Sequence, residues 1–142
     1  MENEIQNGNE INYDILLPVN IFNNESSALE SISKYLKENV GLRYCKIADL
    51  LNRDDRTIWG AHNDANKKSG ADFLSEESKI KIPLYIFKDR SLSVLEALAE
   101  YLKEVHNLRY CKIAVLLNKD PRTIWTVYSR AKKKRKTNVE PN

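Results

Sequence analysis

Two identical tetrapeptides, Arg56-Thr57-Ile58-Trp59 and Arg122-Thr123-Ile124-Trp125, stand 66 residues apart in a chain of 142. Their side chains suit a polyanion that carries flat hydrogen-bonding edges. An arginine fork can donate to guanine O6 and N7 together, or to a phosphate. Thr57 and Thr123, with Thr126 and Ser129 further along, offer hydroxyls that reach phosphates or base edges. Trp59 and Trp125 have two uses. An indole can cover thymine methyls and sugars, or it can pack against the first helix or the other repeat. Packing is the favoured expectation.

The tetrapeptides close a longer repeat. Leu42–Trp59 and Leu108–Trp125 agree at 15 of 18 positions. Each block has the apolar spacing of two short helices joined by a tight turn. Ile47, Leu50 and Leu51, like Ile113, Leu116 and Leu117, give the inner face of a helix that starts near Arg43 or Arg109. Ala48 and Ala114 take the small-residue position where helices cross closely. Asn52 and Asn118 follow, and asparagine tolerates the left-handed conformation of such a turn. Asp54 and Asp120 are expected N-caps for the next helix, and Pro121 suits its first turn. Tyr44 and Tyr110 are expected to pack across the helix pair.

With Ile58, Ala61, Ile124 and Val127 turned inward, Arg122, Thr123, Trp125, Thr126 and Ser129 fall on the outer side of the last helix. Arg109, Lys112, Lys119, Arg130 and the run Lys132-Lys133-Lys134-Arg135-Lys136 suit phosphate contacts. Copy one keeps Arg56, Thr57 and Trp59. It replaces Pro121, Thr126, Ser129 and Arg130 with Asp55, Gly60, Asn63 and Asp64. Two carboxylates oppose a phosphate backbone, and a glycine loosens a helix by roughly 1 kcal/mol. Copy one is therefore the weaker candidate.

Other elements must hold these helices. Ile15, Leu17, Val19 and Ile21 alternate, as do Ile80, Ile82, Leu84 and Ile86, which predicts a half-buried strand at the head of each copy. Pro18 and Pro83 confine both to sheet edges. The two strands are expected to pair as a short antiparallel ribbon about a pseudo-two-fold axis, with helices over one face. A first helix then follows in each copy. Ser91 or Ser93 caps the second one, and Val94, Leu95, Leu98, Leu102 and Val105 form its stripe; Ala28, Leu29, Ile32 and Leu36 form the other. The copies differ by one residue in the loop before this helix. The expected fold is mainly α: two tandem strand–helix–helix-turn-helix repeats of about three helices each. Residues 1–11 form a disordered lead-in, 12–68 the first repeat, 69–78 a linker pinned by Phe73 and Leu74, 79–136 the second repeat, and 137–142 a disordered tail.

Charge divides the copies. Residues 1–78 hold 8 Lys+Arg against 14 Asp+Glu, a net of −6, and residues 79–142 hold 15 against 6, a net of +9. Only the second has the electrostatics expected for a polyanion. Cys45 and Cys111 sit at equivalent places and read as semi-buried thiols, and His62 and His106 as isolated surface residues. No Walker loop, metal-ligand cluster or Ser/His/Asp arrangement can be nominated, so neither an enzyme nor a cofactor is expected. The polar, acidic start resembles no signal peptide, and an intracellular, cytoplasmic protein is expected.

Lys112-Ile-Ala-Val-Leu-Leu-Asn-Lys-Asp-Pro-Arg-Thr-Ile-Trp125, followed by Arg130-Ala-Lys-Lys133, resembles the helix-turn-helix of region 4 of bacterial sigma factors and related prokaryotic regulators. The two matches cover about a third of the chain. The resemblance implies duplex DNA binding with the third helix in the major groove. It implies neither promoter selection nor a polymerase contact. A sequence-preferring transcription regulator is the leading expectation. The alternatives are a protein-interaction module whose acidic repeat one docks on the transcription machinery, and a non-specific architectural DNA binder. A homodimer presenting two copies of repeat two is a further possibility.

Overall fold

A pair of three-residue strands joins the two repeats. In the computed structural model, β1 (Leu16–Pro18) and β2 (Lys81–Pro83) run antiparallel, with Leu17 opposite Ile82. Residues 15–68 and 79–139 are described, with side chains as far as Lys136. The expectations for the lead-in, for Phe73 and Leu74 in the linker, and for residues 140–142 lie outside the described residues, whereas residues 137–139, expected in the disordered tail, continue the last helix.

The strands are shorter than the alternation predicts. Pro18 and Pro83 sit at φ −66° and −67°, and the chain turns immediately into 3-10 segments, Val19–Phe22 and Leu84–Lys88. A proline supplies no N–H to extend the ladder, so it ends the strand. The next residues close it instead: Val19 N–H donates to Ile80 O and Leu84 N–H to Ile15 O, both at 3.0 Å. Of the expected inward face, Leu17, Val19, Ile21, Ile82 and Leu84 are buried, and Ile15, Ile80 and Ile86 are half-buried against the core.

Each first helix carries a capping box. Ser27 caps α1 (Ala28–Lys34) with Glu30, and Ser93 caps α4 (Val94–Glu104) with Glu96. Each side chain satisfies the other residue's backbone N–H. α1 continues as a wider π-type coil, Tyr35–Val40, and ends on Gly41 at φ 87°. The matching end of the second copy is Asn107 at φ 55°. Val105, the C-cap residue of α4, leaves the core stripe and is exposed. The one-residue difference in the preceding loop is not passive: Leu92 lies there, and its side chain is buried with the core.

The remaining helices are α2 (Tyr44–Leu51), α3 (Asp55–Lys68), α5 (Tyr110–Leu117) and α6 (Pro121–Val139). Asn52 and Asn118 take the left-handed conformation, both at φ 58°. α1 packs on α3, and α4 on α6. The repeats also exchange arms. The 3-10 segment of repeat one packs on α5 of repeat two, and that of repeat two packs on α2 of repeat one. One hydrophobic cluster therefore runs through both copies, from Leu17 to Ala131. Asn52 Nδ2 donates to Lys88 O, and Asn118 Nδ2 to Asn24 O at 3.0 Å, so each tight turn is latched to the other repeat's arm. Among the described residues, no helix is long and apolar enough to cross a membrane.

Candidate nucleic-acid interface

The start of α6 is set by its turn. Lys119 N–H closes on Ala114 O at 2.8 Å while Asn118 is left-handed. Asp120 then acts as N-cap: its side chain accepts from Arg122 N–H at 3.0 Å and its carbonyl from Ile124 N–H at 3.1 Å. Pro121 opens the helix, where no donor is needed. Ile124, Val127 and Ala131 are buried at helical spacing. The opposite side therefore faces solvent. Arg122, Thr123, Trp125 and Arg130 are exposed there, and Thr126 and Ser129 are half-buried. α3 has the same construction: Asp54 accepts from Arg56 N–H, Ile58 is buried, and Arg56, Thr57 and Trp59 are exposed.

The packing expectation for the tryptophans is overturned. Trp59 is 55% exposed and Trp125 56%. Each sits one residue after a core isoleucine, so the helix turns it away from the bundle. Among the described residues, the Arg56 and Arg122 guanidinium groups have no hydrogen-bond or ion-pair partner. An exposed indole and an unengaged arginine thus share one helix face in each repeat. Arg109, the N-terminal flank of α5, and Lys112 one turn on are exposed. Lys119 is half-buried and lines a depression between the repeats together with Arg53.

The basic run is braced against the rest of its repeat. Lys132 pairs with Glu104 at 2.9 Å, Lys134 with Glu96 at 2.7 Å, and Arg135 with both Glu100 and Asp89. Glu96, Glu100 and Glu104 stand four residues apart, which puts them on one face of α4, and α6 packs along that helix. That ladder is the sequence signal for the masking. The pairing also shows in proton affinities. Hydrogen bonds from Lys132 and Tyr128 hold the Glu104 carboxyl below its usual range. Burial works against the Glu96 carboxylate, but its bonds to Lys134 and to the Ser93 backbone outweigh this and lower its pKa. Burial and the Glu104 carboxylate together push the Tyr128 phenol up to about 12.

Repeat one repeats this brace in different residues. Lys68 pairs with Glu30 at 2.9 Å, as Lys134 does with Glu96. His62 stands where Tyr128 does, donating to Glu38 at 2.7 Å and bonded to the Tyr44 hydroxyl at 2.8 Å. His62 is therefore not an isolated surface residue. His106 is half-buried as well, edge-on to Tyr101. Tyr44 and Tyr110 do pack across the helix pair, Tyr110 against Tyr128 with ring centres 6.0 Å apart. Cys45 and Cys111 are exposed rather than semi-buried, since each lies on the side of its helix away from the buried isoleucine two residues on.

Comparison of the chain with known protein families, characterised proteins and solved structures returns no match.

Proposed function

We propose that this protein is a sequence-preferring double-stranded DNA binder that acts in transcription regulation, with the first turns of α6 in the major groove. The observation that carries the reading is the exposed Arg122, without a side-chain partner among the described residues, beside exposed Trp125 on a capped helix, in a stretch (residues 79–142) with a net charge of +9. Arg122 reads a guanine edge. Thr123, Trp125, Thr126 and Ser129 flank it, and Arg109, Lys112, Lys119 and Arg130 hold phosphates. Lys133 adds to the field of the second repeat, while Lys132 and Lys134 serve mainly as braces. On this reading the protein works in the cytoplasm, at the nucleoid.

Selection of bound duplexes by the full chain, then titration of the enriched site at several salt concentrations, tests this. Enrichment with a steep salt dependence supports it. Absence of both removes it. The acidic segments that flank the first repeat, residues 1–11 and 69–78, favour one other reading, docking on a basic surface of the transcription machinery. That reading predicts partner binding by the full chain without duplex affinity.

A further inference from the structure

We infer that the DNA site is an inverted repeat, read by one chain as if it were a dimer. The inference rests on the DNA-binding reading above and adds the orientation of the two half-sites. It comes from the symmetry of the ribbon. Pro18 and Pro83 are equivalent in the two copies, so Leu17 and Ile82 are equivalent as well. These two residues pair with each other, and Leu16 and Pro18 pair with Pro83 and Lys81 in mirrored order. A two-fold axis passes through the Leu17–Ile82 pair. The bonds that close the ribbon obey it: Val19 N–H to Ile80 O and Leu84 N–H to Ile15 O have equal lengths of 3.0 Å. So do the exchanged arms, since each 3-10 segment meets the other repeat's second helix. The depression between the repeats obeys it too, with Ser27 and Arg53 on one side and Ser93 and Lys119 on the other.

A tandem duplication need not have this symmetry. Repeats stacked by translation would present their readers in the same sense along a duplex and would fit a direct repeat. A two-fold relation gives both reading helices one inclination to the axis and opposite senses across it. B-DNA has its own two-fold axes perpendicular to the helix axis. A rigid body that engages one duplex with both readers therefore does so with the two axes coincident. The half-sites match where Arg56 and Arg122, Thr57 and Thr123, and Trp59 and Trp125 read. They differ where Gly60 and Asp64 stand in place of Thr126 and Arg130.

The test uses the full chain. Duplexes carrying the enriched half-site twice are compared as inverted and direct repeats at matched spacings and one salt concentration, with the single half-site as reference. The expected result is that one inverted spacing binds about tenfold or more tighter than any direct repeat, the scale of one lost base contact. An equal or greater affinity for direct repeats, or no gain from a second half-site in either orientation, overturns the inference and leaves the DNA reader standing. No enrichment of any duplex removes the reader and the inference together.

Discussion

At the scale of single residues, the exposed face of α6 was legible because helical spacing decides it. Once Ile124 and Val127 are turned inward, Arg122 and Trp125 have to face out. Packing was nevertheless favoured for the indoles, because a large apolar side chain is expected to find cover, and periodicity does not say how far the bundle extends around a helix. Their exposure yields a first prediction. Trp125→Ala should leave the melting temperature close to that of the parent, since little buried area is lost, while it weakens binding to the selected duplex. A large drop in melting temperature would show that the indole supports the fold. A second prediction concerns acid. The Glu96 side chain is only 7% exposed and its pKa is held below the ordinary 4.5. A carboxyl with a lowered folded-state pKa contributes stability that is present above its unfolded value and is lost as pH falls through the folded one. Melting temperature should therefore fall as pH drops below 4.5, and Glu96→Gln should make that fall shallower.

At the scale of elements, turn chemistry was read more securely than strand length. Asn52 and Asn118 are left-handed, Asp54 and Asp120 cap, and Pro121 opens its helix, all as their residue types demand. The strands were overread because alternation persists through a 3-10 segment, where Val19 and Ile21 remain buried although the ladder has stopped at Pro18. The masking of the basic run was missed for another reason. Its acidic partners lie 28 to 46 residues earlier, and the packing of α6 along α4 brings them together. Substitutions at two positions test the elements. Gly60 lies inside α3 with nothing within 4 Å of an added Cβ, so Gly60→Ala should stabilise the protein by roughly 0.5–1 kcal/mol. Asn118→Ala should destabilise it by about 1–2 kcal/mol, because alanine resists the left-handed conformation and the latch to Asn24 O is lost. Asn118→Gly should do less harm. Thermal unfolding reads all three.

At the scale of the whole molecule, the repeat in the sequence conceals a single body. The strands pair across the copies, the 3-10 segments are exchanged, and one core includes both, so neither repeat closes its own hydrophobic face. The full chain should unfold in one cooperative transition, and a fragment of residues 79–142 should show little stable helix by circular dichroism, having lost the arm that covers α5. Charge divides what packing unites: the first repeat is close to neutral and the second strongly basic, on either side of one axis. The central claim, that Arg122 on α6 reads duplex DNA, is tested most directly by titrating the selected duplex with the full chain and with Arg122→Ala across salt concentrations. The account predicts a log–log salt slope of about −0.9 for each phosphate engaged, with several engaged, and a loss of about 1–3 kcal/mol with relaxed preference at one base pair in the variant. Binding that ignores salt, or a variant that binds and discriminates like the parent, would contradict it.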